Sequence, residues 1–463
     1  MRVVNWIEQY YDNSRDYRVL SGVQPGEIAG ALPRKAPQDG EPFETIFADF
    51  ENIILPGITH WNHPRFFAYF SISAAPVTVL AEALAATLDV NAMLWRASPA
   101  ATELEEVVLV WLRSMLGISD AFAGIVYDTA SIGGFTALAA AREALDLDIR
   151  EAGMTAREIP ALRVYITDHT HSHIEKAAIA LGVGRSNVVR IAVDEAFRMR
   201  PEALHQQIER DRARSMQPMC IVATVGTTST TSIDPVDAIA AIARREQIWL
   251  HVDAAYAGMA AILPEHRQVL AGVEAADSLV VNPHKWLFVP IDLSVLYVRR
   301  PDIVKRAFAL TADYLRTPED DVRNYMDYGL QLGRRFRALK LWFLLRSYGV
   351  EGIQQRLRGH IALAQEFAAC VRGEDDWEIL APHPLSVVCF RFSPGGSPEP
   401  ELDALNERLL EEVNSTGEMF ISSTKISGKT ALRLAIGNER TTREDVRLAW
   451  TLLRRHACAI AAL

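Results

Sequence analysis

The sequence predicts an α/β protein whose main body is a mostly parallel sheet with helices on both faces. Three observations carry this. Between about 76 and 345, strand-like runs such as Cys220 to Thr224 and Ile248 to Val252 alternate with helical runs such as Val236 to Arg245. A chain of 463 residues, 49% of them hydrophobic, has ample material for a large core. The stretch from Asp253 to Lys285 (285 − 253 = 32 residues) has room for one crossover between neighbouring parallel strands.

Residues 1–75 read as an N-terminal arm rather than a domain, with an amphipathic start followed by the Pro- and Gly-punctuated stretch Pro25-Gly26 to Pro42. Trp6, Ile7, Tyr10 and Tyr11 recur near helical spacing and form an apolar stripe suited to a second subunit. Residues 76–345 form the large domain. Residues 346–463 open with the amphipathic segment Val350 to Arg372, continue through Ser386 to Phe392 and a Gly/Pro/Ser loop at Ser393 to Pro400, and include Ala431 to Ile436, which together suggest a small α+β domain. Thr311 to Tyr328 is acidic around Pro318-Glu319-Asp320-Asp321 and lacks a sustained apolar face; a segment of this kind and length is expected to be a lid. No internal repeat is present.

The formal net charge of −10 argues against a nucleic-acid surface and against adhesion to anionic membranes, so the expected partner is a small molecule. Cys220, Cys370, Cys389 and Cys458 are scattered singly, which fits a reducing cytoplasm better than a disulfide framework. The N-terminal residues carry charge too early for a signal-peptide core, and no apolar run approaches the ~20 residues of a membrane span.

Four segments carry chemistry. Asn282-Pro283-His284-Lys285-Trp286 follows the apolar run Ser278 to Val281, placing one lysine just past a strand end. A surface lysine closing a strand is the ordinary use of that residue; a partly desolvated one can instead condense with an aldehyde as a Schiff base. Ile248 to Val252 ends in Asp253-Ala254-Ala255, delivering a carboxylate to the carboxyl edge of the sheet, where it can pair with a protonated pyridine nitrogen. Gly124 to Ser131 precedes the helix-forming run Phe135 to Leu145, so Thr129, Ala130 and Ser131 either cap a helix or bind a phosphate at its N-terminus. Asp168-His169-Thr170-His171-Ser172-His173 follows the strand-like Leu162 to Ile166. Its alternating histidines lack the acid or cysteine cluster of a metal site, and a flat imidazole stacked on a pyridine ring, with His171 as the candidate, is the better use.

Together with Thr59-His60-Trp61, Arg65 to Phe70, Ala97-Ser98-Pro99-Ala100, Thr102 to Glu105, His251 to Gly258, Asn282 to Leu287 and Leu332 to Arg337, these segments resemble the group II pyridoxal-phosphate decarboxylases, and most closely the aromatic L-amino-acid decarboxylases. The blocks span nearly the whole chain in the family's order. The resemblance implies the type I, aminotransferase-like fold of pyridoxal 5'-phosphate (PLP) enzymes, a homodimer, and Lys285 as the covalent anchor of the cofactor. It further implies Asp253 on the pyridine nitrogen, His171 stacked on the ring, and Ala130, Ser131 and His284 on the phosphate. Asn282 belongs to the same loop, Thr228 lies beside the cofactor, and Ala255 lies against the ring. Tyr325 falls where the family keeps a mobile-loop tyrosine that protonates the substrate carbon. Tyr328 competes for that placement, and the Leu332-Gly333-Arg334-Arg335 anchor favours Tyr325.

Trp61, Tyr69 and Phe70 are expected to offer aromatic surface to a substrate side chain. Ser71 and Ile72 stand where proline and then a small or polar residue are usual. Asn91, in the Asp89 to Trp95 stretch with Met93, is polar where an apolar residue is common. The expected reaction is decarboxylation of an L-amino acid, aromatic in side chain, to amine and CO2. The alternatives are oxidative deamination to an aldehyde, in which related enzymes replace the loop tyrosine or the stacking histidine; another PLP reaction on the same fold; and a non-enzymatic binding protein, which would lack the lysine or the acid.

Overall fold

The computed structural model describes residues 2–310, 319, 322–396 and 398–461. These residues fall into two compact units: one of residues 74–361 with 382–385, the other of residues 1–73, 362–381 and 386–463.

The first unit is built on a seven-stranded sheet of β1 (Ala123–Tyr127), β2 (Leu162–Ile166), β3 (Val188–Arg190), β4 (Gln217–Thr224), β5 (Trp249–Asp253), β6 (Ser278–Val281) and β7 (Ser294–Val298), in the order β1-β7-β6-β5-β4-β2-β3. From β6 to β3 every pairing is parallel, and β7 runs antiparallel to both β6 and β1. Strands covered on both faces lose the alternation of a half-exposed sheet, and all residues of β5, β6 and β7 are buried. The helix Ala130–Glu143 packs tightly on this sheet because its inner face is nearly all alanine and glycine: a Cβ on Gly133 would stand 2.9 Å from Val280 Cγ2.

The second unit holds a four-stranded antiparallel sheet of β8 (Trp377–Ile379), β9 (Val387–Phe392), β10 (Ser422–Ile426) and β11 (Lys429–Ala435), ordered β10-β11-β9-β8. Its core gathers Phe67, Phe367, Trp377, Phe390 and Leu453. Residues 1–73 do not stand free as an arm within this unit. Phe67 shares that core, its N–H donates to Phe420 O at 2.8 Å, its carbonyl accepts from Ala435 N at 2.9 Å, and Arg15 pairs with Asp445 at 2.8 Å. The helix Arg2–Asp12 buries no residue fully, although Trp6 stacks on Tyr10 and meets Phe50 edge-on. The helix Ala338–Arg372 is interrupted at Gly349, whose φ of 61° is open to glycine; the expected boundary at 345/346 falls in it.

Candidate active site

The carboxyl ends of adjacent strands bring the chemistry-bearing residues together. β5 ends in Asp253, β6 runs into the short helix Pro283–Trp286 that carries Lys285, and β2 leads to the helix beginning at His173. Backbone bonds tie these turns to each other: Asn282 N–H donates to Ala255 O at 3.1 Å, Lys285 N–H to Asn282 O at 2.9 Å, and Val225 N–H to Asp253 O at 2.8 Å. Trp286 holds the lysine turn from beneath. It is fully buried, stacks on Tyr256 at 4.9 Å, and donates from Nε1 to His360 Nδ1 at 3.0 Å.

Asp253 is buried, and Oδ1 accepts from the Ala255 N–H at 3.1 Å. Burial works to raise its pKa, yet the positive groups facing it, Lys285 among them, and that N–H outweigh burial and hold the carboxyl below its ordinary value. His173 Nε2 lies 4.0 Å from Asp253 Oδ2. His173 Nδ1 in turn lies 2.9 Å from Nδ1 of His171, a residue that reaches solvent at one side of its partly desolvated ring. Burial, reinforced by the charge of Lys285, lowers the pKa of His171, so its imidazole is neutral at pH 7. Lys285 is half-buried, and its charge reaches Asp253, His171, His173 and His284 alike.

A second feature of this edge is a surplus of donors. His284 Nδ1 accepts the Leu293 N–H at 3.0 Å, and burial lowers its pKa to about 4, so the neutral ring carries its proton on Nε2. The Asn282 oxygen accepts from Ser294 Oγ at 2.6 Å, which turns the amide nitrogen toward that same Nε2, 3.4 Å away. Two N–H groups facing one another call for an acceptor between or beside them. The helix Ala130–Glu143 starts without a side-chain cap from Thr129, leaving the first amides, at Ala130 and Ser131, to another acceptor. Thr228 is exposed on the turn after β4; the preceding Gly226 has φ 87°, and a Cβ there would stand 2.4 Å from that of Ala257. Ala255 is buried beside Asp253.

Other expected residues lie differently. In the second unit Trp61 stacks on Tyr69 (5.4 Å, 15°) and on Phe66 (4.4 Å); Trp61 and Tyr69 remain 40% and 51% exposed, whereas Phe70 and Ser71 are buried and Ile72 is half-buried. In the first unit Asn91 Oδ1 accepts the Arg334 N–H at 3.0 Å, and Met93 O accepts the Met326 N–H at 2.9 Å, so both belong to a tied segment. The expectation of Tyr325 on a mobile lid is corrected. Residues 311–318, 320 and 321 of that segment lie outside the described residues, but Tyr325 sits in a short 3-10 helix, 2% exposed, with the Arg334 guanidinium 4.5 Å from its ring centroid. The sequence reading overlooked His173 and Gly134. A Cβ on Gly134 would lie 2.6 Å from His173 Nε2; the alternating histidines were the only signal. No metal-holding group of His, Cys, Asp and Glu exists among the described residues.

An amine, a buried carboxylate, an imidazole and an anion-binding rim at one sheet edge define a site for a phosphorylated aldehyde cofactor. The pyridoxal-dependent decarboxylase conserved domain matches residues 25–393, and the chain belongs to this family. It is 40% identical to tryptophan decarboxylase TDC2 of Camptotheca acuminata (99% of this chain, 94% of the relative) and 38% identical to a phenylacetaldehyde synthase of a Rosa hybrid cultivar (99% and 93%). Its fold matches the crystal structure of Oryza sativa TDC with PLP and tryptamine at a TM-score of 0.95 and 33% identity, covering 99% of this chain and 96% of that one. The cofactor is therefore PLP, and the donor surplus at Asn282, His284, Ala130 and Ser131 fits its phosphate.

Proposed function

We propose that the protein decarboxylates an aromatic L-amino acid to its amine and CO2. The observation that carries this reading is the convergence of Lys285, Asp253 and the His171–His173 pair on one sheet edge in a chain of this family. Bound PLP supplies an electron-poor ring that takes up the electron pair left by departing CO2. Lys285 Nζ would hold the cofactor aldehyde until a substrate amine takes its place. The Asp253 carboxylate, held ionised, would favour a protonated ring nitrogen, and His171 and Ala255 would hold the ring. Ala130, Ser131 and His284 would bind the phosphate, with Asn282 in the same loop and Thr228 beside the cofactor.

A proton must then reach the substrate carbon. Burial of Tyr325 on Arg334 weighs against its moving there, and Tyr328 is tethered because its carbonyl accepts from the Tyr127 hydroxyl. Tyr314, the remaining tyrosine of the Thr311 to Tyr328 segment, lies outside the described residues and is assigned this proton by elimination. Trp61, Tyr69 and Phe70 with Ser71 and Ile72 in the second unit, and Asn91 with Met93 in the first, are each proposed to bear on the substrate side chain; the exposed Trp61 and Tyr69 rings support this. Leu80, Leu84 and Leu88 form an exposed stripe at i, i+4 and i+8, which supports a homodimer. The scattered cysteines Cys220, Cys370, Cys389 and Cys458, none of them in a disulfide, support a cytoplasmic location.

The test is to incubate the protein and PLP with phenylalanine, tyrosine, dopa, tryptophan, glutamate and alanine, measuring CO2, amine, aldehyde and peroxide together. Amine and CO2 from at least one aromatic substrate is the expected result; turnover confined to the acidic or short substrates would refute the reading. The resemblance to a phenylacetaldehyde synthase favours one second reading, in which aldehyde and peroxide replace the amine.

A further inference from the structure

We propose that His173 is a positioning residue that fixes the tautomer and ring plane of His171. This rests on the functional reading above and extends it to a residue outside the cofactor's contacts.

The argument begins with hydrogen-bond direction. The backbone N–H of His173 donates to His171 Nδ1 at 3.3 Å, so that nitrogen is an acceptor and the proton of the neutral His171 ring is on Nε2. His173 Nδ1 approaches the same atom at 2.9 Å; two lone pairs do not meet at that distance, so His173 Nδ1 carries a hydrogen and donates. Burial, the largest influence, lowers the pKa of His173 to about 4, leaving the ring neutral with Nε2 bare. That nitrogen is buried without a hydrogen-bond partner among the described residues and looks toward Asp253 Oδ2, 4.0 Å away. If His173 gains a proton, Nε2–H faces the carboxylate and Nδ1–H still faces His171. Both protonation states impose the same tautomer on His171, whose one remaining donor is Nε2–H.

The ring is also built in. It is 5% exposed, at the first turn of the helix His173–Ala180, against the helix Ala130–Glu143. A Cβ on Gly134 would come within 2.6 Å of His173 Nε2 and 2.7 Å of Cδ2, so the glycine leaves the space that the imidazole fills. His169, the remaining member of the alternating set, instead meets Phe197 edge-on at 5.3 Å.

The experiment uses 15N-histidine-labelled holoenzyme, with ring resonances assigned from single-histidine variants, alongside steady-state kinetics. The parent is expected to show His171 protonated at Nε2 and bare at Nδ1. His173→Phe keeps the ring volume and removes the donor: His171 should become a tautomer mixture, and kcat should fall at least about tenfold with KM nearly unchanged. His173→Asn, whose amide nitrogen takes the place of Nδ1, should restore the tautomer and most of kcat, a rescue that a purely space-filling role would not give. Should His173→Phe fail to fold, Gly134→Ala displaces the ring from the other side and is expected to give the same mixture and the same loss of kcat. A His171 proton on Nδ1 in the parent, or a parent-like tautomer and kcat in His173→Phe or Gly134→Ala, would overturn the proposal. An enzyme that releases no CO2 from any amino acid would sink the functional reading alone, because the 15N measurement still decides the role of His173.

Discussion

Around Arg334 the buried charged groups satisfy one another, whereas around Asp253 several polar groups are left open. Arg334 Nη2 donates to Glu105 Oε1 and to Val126 O, both at 2.7 Å, Nη1 donates to Ala92 O at 3.2 Å, and the guanidinium covers the Tyr325 ring. Glu105 Oε1 also accepts the Val126 N–H at 3.0 Å. At the other site, Nε2 of His173 and Nε2 of His251 are buried with no partner among the described residues, and the donors of Asn282 and His284 face each other. Both clusters lie in the same unit and carry charge. The difference teaches that a fully bonded buried ion pair marks a structural joint, while unspent donors gathered beside a buried carboxylate mark the place where a ligand completes the protein.

The sharpest way to break this comparison is to remove one charged group from each cluster. Lys285→Ala is expected to reduce turnover to background while leaving the denaturation midpoint of the cofactor-free protein nearly unchanged, and borohydride reduction of the parent should fix PLP to the peptide containing Lys285. Glu105→Ala leaves the Arg334 charge buried and unpaired, which costs about 3–5 kcal/mol, so the midpoint should fall steeply. A Lys285→Ala protein that unfolds as readily as Glu105→Ala would erase the distinction, and label on any other lysine would defeat the anchor assignment.

The sequence was most legible where chemistry sits at the end of a buried strand. Asp253 and Lys285 follow apolar runs of strand length, and pattern alone brings such ends to one edge of a parallel sheet. It was least legible where the partner comes from elsewhere in the fold. Counting back from Leu332-Gly333-Arg334-Arg335 led to Tyr325 because the anchor and the tyrosine are indeed neighbours, but as a clamp and its cargo. The bond from the Arg334 N–H to Asn91 was hidden in the same way, because nothing in the segment around Asn91 reveals it. The link from His173 to Asp253 joins residues 80 positions apart (253 − 173), and the space for that ring comes from a glycine on a third element.

A smaller effect separates the tyrosines. The Tyr325 hydroxyl is buried beside Arg323. Removing it in Tyr325→Phe costs at most its interaction with Arg323, whose guanidinium still faces Glu106 at 4.0 Å, so amine formation should stay within about twofold of the parent and stability should change little. Tyr314→Phe should instead divert product toward aldehyde, with ammonia and peroxide, because the unprotonated carbon persists long enough for O2 to react. Product analysis of the two variants side by side decides it: a diversion in Tyr325→Phe but not in Tyr314→Phe would return the proton-donor role to Tyr325.

The open cluster should also leave a mark on stability as the pH falls. Burial lowers the pKa of His173, His251 and His284 to about 4 each, against about 6.5 for an unfolded histidine. Between those values the unfolded chain binds protons that the folded one refuses, so the contribution of these rings is complete above about pH 6.5 and is lost as the pH drops toward 4. Each histidine adds a slope of up to about 1.4 kcal/mol per pH unit. Asp234 works the other way: burial raises its carboxyl to about 6, so the folded state binds a proton there before the unfolded state does and recovers one histidine's share below that pH. His63, lowered by burial to about 3, adds one more histidine's share, so the net slope between pH 4.5 and 6 is that of three histidines, about 4 kcal/mol per unit. Replacing His251, which lies outside the proposed chemistry and bonds Ser278 Oγ at 2.9 Å, with Gln should remove about a third of it. Denaturant titrations of parent and His251→Gln across this range give both slopes. A parent stability that does not change between pH 4.5 and 6 would mean that these rings take up protons in the folded state, and that the cluster is wetter than its burial implies.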